Sequence, residues 1–169
     1  MQEFNGLYSQ KREDVLRAIE KARDHGTLEW VRPLMEVFRD LEDEEIRTEI
    51  AGLLGALKIS DAASVFSDAL DDPEFSSIHA DVISFLWSCG FQSEDDLISI
   101  VQCAIDGDYR CAMEALTWVE ELEHVLDEQV LLDVILMLRG HLEEIDGQDI
   151  RVPLYQDMLL KLQRHERGQ

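Results

Sequence analysis

Carboxylates, histidines and cysteines are the side chains of this chain that could perform acid–base, metal or thiol chemistry. The 169 residues include 37 Asp and Glu, five His and three Cys. Acidic pairs occur all along the chain, so none stands out as the acid and base of a hydrolase. The histidines lack the short spacings of a zinc site; they are His25, His79, His124, His141 and His165. We therefore predict no catalytic residue, no metal site and no cofactor.

The cysteines and the known sequence motifs support the same prediction of a non-enzymatic protein. Cys89, Cys103 and Cys111 are odd in number, and each lies in an apolar pattern typical of a helix. This pattern predicts buried, reduced thiols. Phosphate-binding, dinucleotide, metalloprotease and serine-hydrolase motifs are absent from the sequence. Asp106-Gly107-Asp108 is too short for a calcium-binding loop, and we interpret it as a turn.

Two tryptophans are the strongest candidates for a binding site. Trp87 and Trp118 each lie nine residues after the first apolar residue of a repeated helix, which places them opposite its apolar stripe. One interpretation is packing against a neighbouring helix. The other is a docking surface on which Lys or Arg of a partner stacks on the indoles. In that case three nearby acids would attract the partner; they are Asp81, Glu114 and Glu121.

The charge of the chain narrows the choice of partner. The formal net charge is −22, and only 15 Lys and Arg are present, which we expect to be spread along the chain. Such a charge repels nucleic acid and anionic membranes. It favours a protein partner with a basic surface, because complementary charge steers association. The alternative explanation of the negative charge is that it serves only to keep the protein soluble.

Neither a targeting signal nor a membrane span is visible in the sequence. Residues 1–5 have neither the basic start nor the apolar run of a signal peptide. The longest apolar run, residues 130–138, contains Asp133 and is too short to span a bilayer. We expect a cytoplasmic protein.

A repeat of about 31 residues determines how these side chains are positioned. Val15, Ile46, Ile78 and Tyr109 stand 31, 32 and 31 residues apart, and apolar residues follow each one after four and seven positions. A fixed period of this length is typical of stacked helical units. The fold class predicted is all-α: a short right-handed α-solenoid of antiparallel helix pairs with about nine helices. One domain would cover residues 9–165, with flexible termini at 1–8 and 166–169.

One of the repeated helices is similar to the second helix of a HEAT repeat. It is residues 46–57, which begin Ile46-Arg47, carry a small residue after the second apolar position and have Leu-Gly near the end. Acids precede the Ile-Arg pair, and the layout returns more loosely before residues 78, 109 and 150. In HEAT proteins such a column of acids and arginines links neighbouring units. The resemblance implies a structural ladder of Arg47, His79, Arg110 and Arg151.

The HEAT resemblance also implies a function, since that family consists mainly of scaffolds and adaptors. The resemblance covers residues 28–122 best. The later residues depart from the HEAT pattern, because Ile150 follows Tyr109 by 41 residues and Pro153 stands where HEAT repeats have no proline. We expect a non-enzymatic module that presents an acidic helical surface to a basic protein or peptide. Alternatives are an inhibitor or immunity-type protein that blocks a basic enzyme, a subunit of a larger assembly, and a HEAT-like enzyme such as a DNA glycosylase or a bilin lyase. The oligomeric state stays open.

Overall fold

The computed structural model describes residues 4–168, and within them the fold is built from helices alone. Four short 3₁₀ helices cover Asn5–Tyr8, Leu28–Trp30, Pro73–Ile78 and Glu94–Asp96. Nine α-helices are α1 Arg12–His25, α2 Val31–Asp40, α3 Glu44–Leu54, α4 Ala62–Asp71, α5 His79–Ser88, α6 Leu97–Asp106, α7 Tyr109–Glu121, α8 Glu128–Glu144 and α9 Val152–Glu166. The prediction of an all-α fold with about nine helices is confirmed.

Helix ends follow the capping residues in the sequence. Asp43 caps α3, because its carboxylate accepts a hydrogen bond from the Ile46 amide at 3.1 Å. Asp108 and Asp127 cap α7 and α8 in the same way. After α5, Gly90 adopts φ +73°, and the amides of Gly90 and Phe91 bind carbonyls of the last turn. This αL ending requires glycine, since a side chain there would be strained.

The helices pack in a serial order. Consecutive helices pair as α2 with α3, α4 with α5, α6 with α7 and α8 with α9. In addition, α2, α4 and α6 each contact the next even-numbered helix, and α1, α3, α5 and α7 each contact the next odd-numbered one. A single cluster of buried apolar side chains extends from Leu7 to Leu162 between these helices.

The fourth repeat does not keep the register predicted from the sequence. Tyr109 and Met113, assigned to the buried stripe of α7, are 42% and 43% exposed. The buried residues follow the equivalent residues of α5 by 33 positions instead of 31; they are Cys111, Ala115 and Trp118, matching Ile78, Val82 and Phe85. Small side chains at 111, 112 and 115 allow α7 to pack closely on α5. The sequence pattern instead gave weight to the larger Tyr and Met.

The lead-in predicted to be flexible belongs, from residue 4 onward, to the packed body. Leu7 is buried, and the Phe4 ring contacts Trp30 edge-on at 6.0 Å between centroids. The Tyr8 hydroxyl donates a hydrogen bond to Glu36 on α2. The expectation for residues 4–8 is therefore wrong, and residues 1–3 and 169 lie outside the described residues. At the other end, α9 extends to Glu166.

Candidate functional site

Four of the side chains considered from the sequence meet between α5 and α7. The Trp87 indole N–H donates to Glu114 Oε2 at 2.8 Å, and Arg110 donates to Asp81 Oδ1 at 2.6 Å. Arg110 Nε also lies 3.9 Å from Glu114 Oε1. The Asp81 carboxylate raises the pKa of the Arg110 guanidinium, which stays charged. This α5–α7 charge cluster (Asp81, Trp87, Arg110, Glu114) ties the two helices together.

The cluster leaves little for a partner to bind. Asp81 is buried, and Glu114 and Trp87 are only partly accessible. Both carboxylates face a cation of their own chain, and the indole N–H already has an acceptor. Their predicted role in attracting a basic segment therefore loses much of its basis, because the charges are compensated internally.

Trp118 is a core residue, and its predicted docking role is wrong. Its side chain is 0% exposed, and its indole N–H donates to the Phe91 carbonyl at 2.9 Å. The 33-residue spacing between α5 and α7 turns it inward, into the position that Phe85 occupies in the preceding unit. The other interpretation of the sequence, that the tryptophan packs against neighbouring helices, is correct for Trp118.

Glu121 lies apart from the charge cluster, exposed at the end of α7. It borders a polar groove of about 470 Å³ between the end of α7 and α9. The groove carries side chains of both signs, since Lys161 and Arg164 of α9 lie opposite Glu120 and Glu121. Of the five predicted binding residues, the structure thus brings together Asp81, Trp87 and Glu114, and separates Trp118 and Glu121 from them.

The predicted ladder residues bind the ends of other helices. Arg47 donates to the Phe38 carbonyl near the end of α2 and lies over the Phe38 ring. His79 Nε2 lies 2.9 Å from the Ala69 carbonyl near the end of α4, and Arg151 donates to the Gly107 carbonyl after α6 at 2.7 Å. A positively polarised donor at a helix C-terminus satisfies carbonyls that lack an intrahelical partner. Arg110 differs, because its partner is the Asp81 side chain.

A histidine–cysteine contact that the sequence does not reveal lies beside a cavity between α4, α6 and α7. His79 Nδ1 is 3.6 Å from Cys103 Sγ, and both residues line a cavity of about 390 Å³. Because a carbonyl only accepts, His79 Nε2 must carry the proton toward Ala69, which leaves Nδ1 to accept from the thiol. Asp71 and Asp106 also line this cavity. The two partners are 24 residues apart in the sequence and show no motif spacing.

The thiol in that contact is not poised for nucleophilic chemistry. Burial, together with the nearby Cys111, Asp71 and Asp106, raises the pKa of Cys103 to about 12. Burial also raises the pKa of Cys89 and Cys111. The thiolate is the reactive form of cysteine, so at neutral pH these thiols are protonated. Among the described residues, no group of three or more His, Cys, Asp and Glu is placed to hold a metal ion.

Charge is distributed along the chain far less evenly than expected. Residues 59–138 contain 18 Asp and Glu but a single Lys or Arg, Arg110, so this acidic mid-section carries −17 of the −22 net charge. Arg110 is engaged by Asp81. Twelve of the carboxylates are exposed; they are Asp61, Asp68, Asp71, Glu74, Asp95, Asp106, Asp108, Glu120, Glu121, Glu123, Asp127 and Glu128.

Comparison with protein-family models, with curated proteins and with solved structures finds no match for this chain. The fold and the arrangement of charge are therefore the observations on which a functional conclusion depends. Over residues 4–168, every helix is too short or too polar to cross a membrane.

Proposed function

We propose that this chain is a non-enzymatic binding module, a HEAT-like α-solenoid that holds a basic protein or peptide through its acidic mid-section. The serial pairing of α2/α3 to α8/α9 supports the solenoid, since each helix of the pair also contacts its counterpart in the next pair. Stacks of this kind present extended surfaces for binding.

The observation that carries the proposal is the concentration of charge. Residues 59–138 hold eighteen carboxylates and one guanidinium, which is itself paired. Cations from outside this segment reach only part of it, since Arg32 pairs with Asp72, and Lys161 and Arg164 lie beside Glu120 and Glu121. Like charges held this close destabilise the fold through self-repulsion. A bound cationic partner relieves that repulsion and adds attraction of its own, so the free energy gained on binding includes both terms.

The electrostatic part of the proposal predicts a strong dependence on salt. Exposed charges are screened over about 8 Å at physiological ionic strength and over about 3 Å at 1 M. Because the mid-section charges are largely exposed, capture of the partner should weaken steeply between low and high salt. Association should slow in parallel, since long-range attraction mainly raises the association rate.

Two variants with equal change in net charge test where the partner binds. The mid-section variant carries amides at four exposed acids, Asp61, Asp68, Asp95 and Glu128. The control variant carries amides at four exposed acids before the mid-section, Glu13, Glu20, Asp24 and Glu29. The unchanged chain and both variants are immobilised and incubated with lysate of the source cell at low and at high salt. The captured proteins are then identified by mass spectrometry.

We expect a basic protein that is captured by the unchanged chain and by the control variant at low salt, and lost with the mid-section variant. High salt should release it from both. An acidic partner, a partner retained at high salt, or equal loss with the two variants would each refute the acidic mid-section as the binding surface.

A further inference from the structure

Helix α8 presents an apolar stripe to solvent. Leu132 and Leu136 are four residues apart and lie on one face of the helix, and Leu136 is 53% exposed. Gly140 continues the stripe with open space above it, so that another backbone can approach closely there. Just before the helix, Leu126 is 84% exposed. Exposed apolar groups arranged along one face are typical of interaction sites.

A cavity at the N-terminal end of α8 continues this stripe. It has a volume of about 520 Å³, and its lining consists of four apolar residues and four others: Val125, Leu126, Leu131 and Leu132, with Glu128, His165, Glu166 and Gly168. Leu132 belongs to both the cavity and the stripe. Together they form the α8 surface, defined by Val125, Leu126, Leu131, Leu132, Leu136 and Gly140. A large apolar side chain of a partner fits the cavity, while the stripe offers contacts to the next turns of the same partner.

Acidic side chains flank the α8 surface. Glu128, Glu143 and Glu144 are exposed and Asp133 is partly exposed, whereas Arg139 is the one cation of α8. The α8 surface thus combines an apolar centre with a rim of mainly negative charge. The partner surface complementary to it is an apolar stripe bordered by Lys and Arg.

The packing of the even-numbered helices indicates the shape of the missing partner. Each of α4 and α6 packs between two even-numbered helices, whereas α8 contacts α6 and α9. Leu132 and Leu136 are left exposed, so a helix of a partner has room to lie along that stripe. Ridges and grooves of a regular helix accept such a neighbour without rearrangement.

We propose that the α8 surface binds an amphipathic helix of a basic partner, with apolar residues four apart on the stripe and Lys or Arg against the acidic rim. This inference rests on the proposed function and assigns a docking position to the partner. A second copy of this chain is disfavoured, because it would place the same acidic rims against each other. An anionic membrane is disfavoured by the net charge of −22.

A matched pair of variants tests the α8 surface. Leu136→Glu adds a charge in the centre of the stripe, and Leu160→Glu makes the same change on α9, where Leu160 is 55% exposed. Both substitutions make the chain more attractive to a cation, so only the loss of apolar contact can explain weaker binding by one of them. Far-UV circular dichroism checks that both variants keep the helical fold.

The probe is a fluorescent synthetic peptide of 17 residues, the length of α8, with leucines along one helical face and lysines beside them. A scrambled peptide of the same composition, with its leucines distributed around the helix, is the control. Fluorescence anisotropy measures the Kd of both peptides with each variant. We expect the amphipathic peptide to bind, Leu136→Glu to weaken it at least about tenfold, and Leu160→Glu to leave Kd within about twofold.

Several results would overturn the assignment. Equal binding of both peptides, or equal effects of both substitutions, would refute the α8 surface as the docking site while leaving the electrostatic proposal intact. The proposal also fails if sedimentation shows a dimer of the unchanged chain that Leu136→Glu dissociates, or if the chain binds vesicles through Leu136. Absence of peptide binding at every salt concentration would refute the α8 surface, and lysate capture would still decide the proposed function separately.

Discussion

Replacement of the two tryptophans tests the packing of α7 most directly. Trp118 is fully buried and hydrogen-bonded to the Phe91 carbonyl, whereas Trp87 is partly exposed and bonded to Glu114. Truncation of a core tryptophan to alanine costs about 3–5 kcal/mol of unfolding free energy. Most of the Trp87 side chain is also buried, so Trp87→Ala should cost somewhat less than Trp118→Ala, about 2–4 kcal/mol.

The corresponding shifts in melting temperature are large enough to be measured for each variant. For a chain of this length, 1 kcal/mol moves Tm by about 2–4 °C. Trp118→Ala should therefore lower Tm by about 6–20 °C, and Trp87→Ala by about 4–16 °C. Trp118→Phe keeps most of the apolar volume but removes the donor to Phe91, which should cost about 1 kcal/mol.

Thermal and urea unfolding followed by circular dichroism at the helical band would measure these differences without depending on tryptophan fluorescence. If Trp118→Ala changed the unfolding free energy by less than about 1 kcal/mol, the assignment of Trp118 to the core would be refuted. A larger loss for Trp87→Ala than for Trp118→Ala would contradict the inward position of Trp118 and the 33-residue register that places it there.

Three further substitutions have effects that local geometry and burial predict. Gly90→Ala should destabilise the protein by about 1 kcal/mol because φ is positive there, while Gly140→Ala in the open middle of α8 should stabilise it by about 0.5–1 kcal/mol. Urea unfolding measures both changes, and changes of the same sign would contradict the αL ending. Burial raises the pKa of Asp96, so in the folded state this carboxyl holds its proton to higher pH than in the unfolded chain. The contribution of Asp96 to the free energy of unfolding therefore falls as pH rises from about 4 through the raised pKa. Asp96→Asn should be the more stable protein at pH 7, and its advantage should vanish below about pH 4; an advantage independent of pH would contradict this.

The sequence predicted the number of helices and several of their ends because these depend on local signals. Apolar residues at helical spacing, the Asp43 cap and the glycine after α5 each act within a few residues. The ladder position of His79 followed from the HEAT resemblance, and the structure places its ring at the Ala69 carbonyl. The HEAT resemblance itself stays a prediction.

Features that depend on tertiary contacts could not be predicted from the sequence. The His79–Cys103 contact joins residues 24 apart on different helices. The buried face of α7 is set by small side chains such as Ala115, whose apolar signal is weak beside that of Met113. Residues 4–8 pack because they contact α1 and α2, but Phe4, Leu7 and Tyr8 are too few to show a helical periodicity from which to infer it.

The acidic mid-section also limits how the protein can be studied by chemistry directed at lysine. The four lysines are Lys11, Lys21, Lys58 and Lys161, and all lie outside residues 59–138. Amine-reactive crosslinkers and labels will therefore map only the two ends of the molecule. Within residues 59–138, trypsin finds a cleavage site only at Arg110, so mass spectrometry of this region yields long acidic peptides. Crosslinkers that react with carboxylates are the reagents suited to locating a partner on the surface proposed here.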